Sequence, residues 1–434
     1  MKFNFKYFPG RVVSSSCAVC GGTDFVLLVL ANYPVRLKNG EISPIEILDG
    51  ACQRCGLVQR IPIPSLADTI AFYRGTSDAV FDLTSEEKFE GDDLSRKIKE
   101  NQMLYLEAAL GSLFPGQELN HIQEIGVFDG AFLLEAKKKG YKVAGFEPSA
   151  HCEVASRKLG VDIKNEFFTS ESRFSFRPDI VVLLHVLEHI SRPIEFIRDV
   201  VSASASAGNS SPAIFIEVPN IRKCPSNDLS PFSNVEHLFN FSKSTLSLVL
   251  NRAGCDVLSV DEYDDRPIIR MIAMPSRSRD IYSSDSRLMS EGADELEVIK
   301  AICAKSEAFL ADLESRVQAL VGQIGRDRKK VIVYGAGVHT ARLFDRFPNL
   351  LNYVVAVIDS DGNKVGLTIG GFVVQGVEAL SANEHPVLIS SYAYQEDISN
   401  FLADRFAGTR TYKLYETVVS QESFATASKR GCGT

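Results

Sequence analysis

Four cysteines near the N-terminus have the spacing of a metal site. Cys17 and Cys20 form one C-x-x-C pair, and Cys52 and Cys55 form a second. Two thiolates separated by two residues can hold one metal from a tight turn, and two such pairs supply the four ligands of tetrahedral zinc. With all four positions filled by protein, the zinc is expected to be structural. A redox-active pair and four unrelated thiols are the alternative interpretations.

The segment between the two pairs is longer than in common zinc ribbons, so it is expected to contain its own strands, at 25–30 and 46–48. The chain has nine cysteines, and the remaining five are isolated. We expect these to be inert or buried thiols: Cys152, Cys224, Cys255, Cys303 and Cys432.

An acidic turn containing two glycines follows a predicted strand that ends at residue 125. The turn runs from Gly126 to Gly130 and leads into an amphipathic helix. A strand that turns into a helix at glycines lets a ligand approach the backbone and meet the helix N-terminus. This turn has fewer glycines than G-x-G-x-x-G, and Glu124 and Asp129 are acidic, so it is poorly suited to a pyrophosphate. It suits a cationic nucleoside without phosphates, and S-adenosylmethionine is the candidate.

A second carboxylate completes this pattern. Glu147 follows the next predicted strand, over 142–146. A carboxylate there, about 20 residues after the turn, can accept hydrogen bonds from both ribose hydroxyls. His185, at the end of a later buried strand, is expected to be a packing residue or part of the cofactor shell.

Length and composition describe the framework that must position these groups. At about 150 residues per domain, 434 residues suggest three domains, and 45% hydrophobic content allows sizeable cores. A net charge of −8 argues against a general nucleic-acid binder. The N-terminal residues show no secretory signal, and the longest apolar runs are far shorter than the ~20 residues of a membrane span. We therefore expect a cytoplasmic protein.

Alternating helices and buried strands from about residue 100 predict a parallel α/β sheet. Further strands are expected at 178–184 and 213–216, and a helix at 243–253. Residues 285–324 are polar with helical periodicity and predict one or two bridging helices. A second strand–turn–helix unit opens at Gly335 and Gly337, with Asp359 on the next strand. NAD binding there is an alternative interpretation, although Thr340 replaces the third glycine of G-x-G-x-x-G.

The order of motifs between residues 124 and 257 resembles class I S-adenosylmethionine-dependent methyltransferases. E-I-G-x-x-x-G is similar to their first motif, and Glu147 falls at their ribose-binding acid. The whole layout resembles sugar C-methyltransferases that act on nucleotide-linked deoxysugars. C-G-L-V-Q, E-I-G-V-F-D-G, G-F-E-P-S and E-H-L-F-N-F-S carry this resemblance, with the G-A-G…D-S-D-G-N-K series of the C-terminal part.

The resemblance implies an α/β protein with a zinc-binding module (1–75), a class I methyltransferase core of Rossmann-like fold (76–276) and a helical linker (277–329). A second Rossmann-like domain (330–434) follows. It implies S-adenosylmethionine and structural zinc as cofactors, and a small-molecule substrate, a nucleotide-linked sugar, with no nucleic-acid or membrane partner.

The resemblance also assigns the reaction site. His237 matches the family's base, and Glu236 and His189 match its neighbours. Tyr73 is similar to an aromatic residue that the N-terminal segment contributes to the pocket. Asn234 replaces a tyrosine of the family, which bears on the substrate. For each assigned residue, a purely structural polar role is the alternative. By analogy with C-terminal nucleotide-binding turns, His339 would contact a substrate phosphate, and a structural role at the start of the helix is its alternative.

Two other functions fit these observations. One is an O- or N-methyltransferase for another small polar acceptor in carbohydrate or natural-product biosynthesis. The other is a catalytically inactive protein that binds nucleotide sugars, against which the presence of both Glu236 and His237 argues.

Overall fold

The computed structural model describes residues 5–7, 12–36, 42–75, 93–149, 151–223, 234–262, 267–276, 285–327, 329–382, 384–391 and 394–415. The described residues divide into two compact units, one from Phe5 to Cys303 and the other from Ala304 onward. No described helix is both long and apolar enough to cross a bilayer.

The first unit begins with an antiparallel sheet. Its elements are β1 (Phe5–Tyr7), β2 (Val12–Ser14), β3 (Asp24–Arg36), β4 (Ile42–Cys52) and β5 (Val58–Arg60), followed by helix α1 (Leu66–Gly75). The strand order is β1-β3-β4-β5, with β2 paired to β3. The strands predicted at 25–30 and 46–48 are confirmed as parts of β3 and β4, which are longer because they pair with each other along most of their length.

The α/β part of the first unit contains thirteen helices and strands among the described residues. In chain order they are α2 (Asp93–Leu113), β6 (His121–Ile125), α3 (Ala131–Lys138), β7 (Lys142–Phe146), α4 (His151–Leu159), β8 (Ile163–Lys164), β9 (Ile180–Leu184), α5 (Pro193–Ser206), β10 (Ala213–Pro219), β11 (Phe239–Asn240), α6 (Lys243–Ala253), β12 (Cys255–Glu262) and β13 (Ile268–Pro275).

Seven of these strands form one sheet in the order β12-β13-β10-β9-β6-β7-β8. All neighbours are parallel except the pairs that involve β13, which runs antiparallel to both β10 and β12. The central strand β9 is buried at all five positions, as expected for a strand covered on both faces. The chain order reverses between β6 and β9, and ligands of such sheets bind at the carboxyl ends of the strands at this point.

The small strand β11 belongs to the other sheet, where it pairs with β5. The α/β segment therefore supplies the edge strand of the N-terminal sheet. Helix α6 begins just after β11 at a capping box formed by Ser242 and Thr245, and it ends at Gly254 with φ 90°. This confirms the helix predicted at 243–253.

Helix α7 (Asp285–Arg326) is one continuous helix of 42 residues, and the chain boundary between the two units falls inside it. Its buried side chains repeat at helical spacing and include Ile299, Leu313, Val317 and Ile324. The second unit continues with β14 (Val331–Tyr334), α8 (Val338–Arg346), β15 (Val354–Asp359), β16 (Thr368–Ile369), β17 (Phe372–Gly376), β18 (Val387–Ile389), α9 (Gln395–Arg405) and β19 (Thr411–Lys413).

These strands form a six-stranded sheet in the order β16-β17-β15-β14-β18-β19. It is parallel except for the pair of β16 with β17. The fold class predicted from the sequence is confirmed: the chain combines a cysteine-bearing N-terminal sheet with two Rossmann-like α/β sheets.

Candidate active site and metal centre

The four N-terminal cysteines come together as one buried cluster. The sulfur of Cys17 lies 3.7 Å from that of Cys55, and the sulfur of Cys20 lies 3.6 Å from that of Cys52. All four sulfurs lie within 4.8 Å of one another. Sulfurs at about 2.3 Å from a central zinc would be separated by roughly 3.8 Å, so the donor set and its spacing fit tetrahedral zinc.

The two C-x-x-C turns have the same backbone geometry. Gly21 and Gly56, each directly after a pair, have φ 71° and 73° and donate to the carbonyls of Cys17 and Cys52. This left-handed conformation favours glycine. The amide of Gly22 donates to the sulfur of Cys20 at 3.3 Å. Three of the five isolated cysteines, Cys152, Cys255 and Cys303, are buried, and Cys224 and Cys432 lie outside the described residues.

The predicted cofactor turn lies at the switch point of the seven-stranded sheet. Gly126 has φ 80°, and a Cβ atom there would come within 2.6 Å of Val186. Gly130, with φ 76°, precedes α3 directly, and a Cβ there would come within 2.7 Å of Leu159. The side chain of Asp129 accepts the amide of Ala131 at 3.0 Å and so shapes the start of the helix. Both glycines are therefore required by close approach as well as by backbone conformation.

Glu147 closes this turn from the end of β7. Its two carboxylate oxygens accept the amides of Phe128 at 2.7 Å and Ser149 at 2.9 Å. A carboxylate has about four lone-pair positions, so two amides leave it capacity to accept ribose hydroxyls. Glu124 is 2% exposed at the end of β6, and burial raises the pKa of its carboxyl well above the ordinary value. An approaching cation would favour its charged form.

His185 is hydrogen-bonded to two buried glutamates. It follows β9 with φ 56°, and its two ring nitrogens contact Glu188 at 3.2 Å and Glu217 at 3.1 Å. Burial alone would lower the pKa of His185, but these two carboxylates raise it to about 10. Glu217 is also paired with the fully buried Arg270, and it accepts a hydrogen bond from Gln102 at 2.6 Å. His185 is therefore a charged bridge between two acids, and any cofactor contact must involve its ring face.

The residues assigned to the reaction site meet beside this network. Nδ1 of His189 lies 3.0 Å from the hydroxyl of Tyr73 and 3.1 Å from the backbone carbonyl of Glu236. The rings of His189 and His237 are 5.0 Å apart between centroids and nearly perpendicular. Burial lowers the pKa of His237 to about 4, although the nearby Glu188 carboxylate opposes this effect. His237 is therefore a neutral imidazole at neutral pH, with a lone pair available to accept a proton.

Sequence reasoning missed the residue that holds this loop. Arg60, at the end of β5, pairs with Asp49 at 2.7 Å. Its guanidinium also donates to the backbone carbonyls of Asn234 at 2.8 Å, Val235 at 3.2 Å and His237 at 3.0 Å. The side chain of Asn234 in turn accepts the amide of Glu236 at 3.1 Å, which gives this departure from the family tyrosine a local role.

The same reasoning missed Glu188, which is 1% exposed and lies between His185 and the two other histidines. Both omissions have one cause. A buried arginine or glutamate on an apolar strand or turn has no spacing pattern, and its partners are distant in sequence. The only available signal was a charged residue inside an apolar segment, which has to find a partner when buried.

The turn of the second unit is organised similarly. Asp359 accepts the amides of Ala336 at 2.7 Å and Asp361 at 2.9 Å, and Lys364 lies 3.1 Å from its carboxylate. Nε2 of His339 is hydrogen-bonded to the hydroxyl of Tyr415. A contact of His339 with a substrate phosphate stays a prediction, and this nitrogen would first have to leave Tyr415.

Comparison with known proteins assigns the central part of the chain. Residues 105–260 match the family model described as a methyltransferase domain. The seven-stranded sheet of this part of the chain, with one antiparallel strand next to the edge, has the class I methyltransferase fold, which confirms the predicted fold class. No curated protein matches the chain in sequence.

Several solved structures resemble this methyltransferase domain. An S-adenosylmethionine-dependent methyltransferase from Mesorhizobium loti is 17% identical, with a TM-score of 0.30, and the match covers 38% of this chain and 96% of that one. Magnesium protoporphyrin IX methyltransferase from Synechocystis PCC 6803, with bound S-adenosylhomocysteine, is 13% identical, with a TM-score of 0.33 and coverage of 44% and 92%. The 1,6-didemethyltoxoflavin N1-methyltransferase from Burkholderia thailandensis is 13% identical, with a TM-score of 0.33 and coverage of 48% and 86%.

Proposed function

We propose that this methyltransferase transfers the methyl group to a carbon of a nucleotide-linked keto-deoxysugar, with His237 as the base. The observation that carries the proposal is the cluster of His237, His189 and Tyr73. A neutral imidazole close to a phenol supplies both a proton acceptor and a hydrogen-bond donor. Methylation of a carbon beside a ketone needs both.

The donor would be held by the turn between β6 and α3. Glu147 is placed to accept the ribose hydroxyls, and Gly126 and Gly130 allow the ligand to approach the backbone. Glu124 and Asp129 add acidic character near the turn. S-adenosylmethionine, when bound, supplies a methyl group on a positively charged sulfur.

The residues of this chain then have separate tasks. His237 accepts the α-proton of the acceptor, and the electron pair of that C–H bond moves into the enolate. The Glu188 carboxylate stabilises the imidazolium that forms, because its charge favours the protonated ring. The Tyr73 hydroxyl, which lies beside Nδ1 of His189, would donate a hydrogen bond to the enolate oxygen. The enolate carbon would accept the methyl group that bound S-adenosylmethionine supplies, and Gly126, Gly130 and Glu147 would hold the S-adenosylhomocysteine that remains.

Zinc at the four cysteines is the second part of the proposal, with a structural role in the module 1–75. Native mass spectrometry of the purified chain should show the added mass of bound zinc, and Cys20→Ser with Cys52→Ser should lower it by one zinc ion. An unchanged metal mass in the double variant would contradict the assignment.

The decisive experiment for function has two stages. Mass spectrometry of the purified protein should detect bound S-adenosylhomocysteine, and thermal-shift screening of thymidine-, uridine-, guanosine- and cytidine-diphosphate sugars should identify the acceptor class. With that acceptor, His237→Ala should lose turnover by roughly 10²- to 10⁴-fold, as expected for loss of a general base. It should still bind S-adenosylhomocysteine in calorimetry.

Full activity of His237→Ala would remove that residue from the mechanism. Transfer to oxygen or nitrogen, read from the product by NMR, would instead establish the O- or N-methyltransferase alternative.

A further inference from the structure

Three side chains of the reaction site also form a constellation suited to a metal ion. Glu188, His189 and His237 each offer one ligand atom, and these atoms lie within 4.8 Å of one another. Within the described part of the chain, only this group and the four cysteines have such an arrangement. We propose that Glu188, His189 and His237 form a second metal site, for a divalent transition-metal ion, separate from the cysteine cluster.

The orientation of His189 favours metal binding. A backbone carbonyl can only accept a hydrogen bond, so the 3.1 Å contact with the Glu236 carbonyl places a proton on Nδ1 of His189. Nε2 therefore carries the lone pair, and it lies 4.0 Å from the Glu188 carboxylate. Ligating histidines usually donate their other nitrogen to a carbonyl or carboxylate in this way.

Glu188 supplies the anionic ligand. Its side chain is 1% exposed, one carboxylate oxygen contacts His185 at 3.2 Å, and the other has no hydrogen-bond partner among the described residues. A buried carboxylate oxygen without a partner is costly, and a cation between it and the two histidines would satisfy it.

The third ligand is held in place through its backbone. The carbonyl of His237 accepts a hydrogen bond from Arg60, and its amide donates to the carbonyl of Asn234 at 3.2 Å. The amide of the next residue, Leu238, donates to the carbonyl of Glu188 at 2.8 Å. The two segments that carry the ligands are therefore tied together, as a preorganised site requires.

The donor set defines the class of ion. Two imidazoles and one carboxylate suit Zn²⁺, Fe²⁺, Co²⁺ or Ni²⁺, whereas Mg²⁺ and Ca²⁺ prefer oxygen ligands only. Three protein ligands also leave positions open for oxygen atoms of an acceptor. The consequence for catalysis rests on the proposed function: the ion would occupy the lone pair of His237 and so inhibit proton abstraction by that residue.

Co²⁺ titration of the full chain tests the site directly, because the two kinds of site differ in their spectra. Cobalt bound by thiolates gives intense sulfur-to-metal charge-transfer bands, and cobalt bound by nitrogen and oxygen gives only weak d–d bands. After equilibrium dialysis against excess Co²⁺, which exchanges the zinc held by the cysteines, we expect two cobalt ions per wild-type chain, one of each spectral type. His237→Ala and His189→Gln should each weaken the nitrogen–oxygen site by on the order of 100-fold or more and leave the thiolate bands unchanged.

His121→Asn is the matched control. His121 also pairs with a carboxylate, that of Asp179 at 2.8 Å, but lies at the opposite end of β6 from the cofactor turn. This variant should bind both ions like the wild type. The unchanged thiolate bands show that the variants are folded.

One cobalt per wild-type chain, or equal binding by wild type and both ligand variants, would overturn the second site. Neither outcome affects the proposed methyl transfer, which is measured with S-adenosylmethionine and the acceptor. Conversely, cobalt binding is measured without either compound, so it can succeed even if the proposed acceptor is wrong.

Discussion

The chain contains two strand–turn–helix units that use the same backbone device with different electrostatics. In each unit, the acid at the end of the second strand accepts two backbone amides. One amide comes from the turn, and the other belongs to the residue two positions after the acid. Glu147 accepts the amides of Phe128 and Ser149, and Asp359 accepts those of Ala336 and Asp361. These two hydrogen bonds thus fix the backbone of the turn, but they do not determine which ligand the turn binds.

The difference lies in the neighbouring charges. Lys364 pairs with Asp359, whereas neither Glu147 nor Glu124 forms an ion pair within the described residues. The first turn therefore keeps an excess of acidic groups, which favours a cationic ligand. In the second turn Lys364 offsets part of the charge of Asp359 and Asp361, so this turn repels a ligand with anionic groups such as phosphates less than the first turn does.

The largest expected difference between the units concerns cofactor affinity. Glu147→Ala should weaken S-adenosylhomocysteine binding by roughly 10- to 100-fold, because each hydrogen bond to a charged group contributes about 1.5–3 kcal/mol. Asp359→Ala should leave that affinity unchanged. Isothermal titration calorimetry measures both, and equal affinity of Glu147→Ala and wild type would show that the first unit is not the cofactor site.

A second difference concerns how tightly each turn is packed. Gly126→Ala should destabilise the protein by about 1–3 kcal/mol, because φ is 80° and the new Cβ would lie 2.6 Å from Val186. Gly337→Ala should change stability by less than about 0.5 kcal/mol, since φ is −101° and no heavy atom lies within 4 Å of the new Cβ. Urea unfolding of both variants checks this, and similar losses would contradict the packing difference.

The two buried acids should give opposite pH dependences of stability. Burial raises the pKa of Glu124, so the folded protein loses stability as pH rises above the ordinary glutamate pKa. Glu124→Gln should therefore raise the Tm relative to wild type at pH 7, with a gain that shrinks towards pH 4.

For Asp359, burial opposes the charged form, but the amides of Asp361 and Ala336 and the Lys364 ammonium lower the pKa of the carboxyl overall. Asp359→Asn should therefore lower the Tm at pH 7, by an amount that disappears as pH falls through the lowered pKa. Thermal unfolding across this pH range tests both signs, and parallel profiles for the two variants would refute the contrast.

The smallest effect is expected at Lys364. Its side chain is 35% exposed, so Lys364→Met should cost only about 0.5 kcal/mol of stability. If the positive charge of Lys364 governs ligand choice, Lys364→Met should bind inorganic phosphate more weakly than wild type does. Equal affinity of the two proteins for phosphate would contradict that role of Lys364.

Sequence reasoning predicted the elements that have strong local patterns. A pattern of only a few neighbouring residues predicts the buried strand β9, the capped helix α6 and the cysteine pairs. Tertiary partners have no such pattern: nothing near Arg60 indicates that it holds the loop of His237, and nothing near Glu188 indicates His185 and His237 around it. The bridging segment was predicted as one or two helices, because periodicity alone does not show whether a helix is interrupted.

The pairing of β5 with β11 has a consequence for biosynthesis. Val58 lies opposite Asn240, so the ribosome must produce most of the methyltransferase domain before the N-terminal sheet receives its last strand. Until then β5 is an open edge, and open edges are the sites at which nascent chains associate wrongly. The cysteine-bearing turns lie at this end of the sheet, where a metal ion bound early would hold β4 and β5 together during translation.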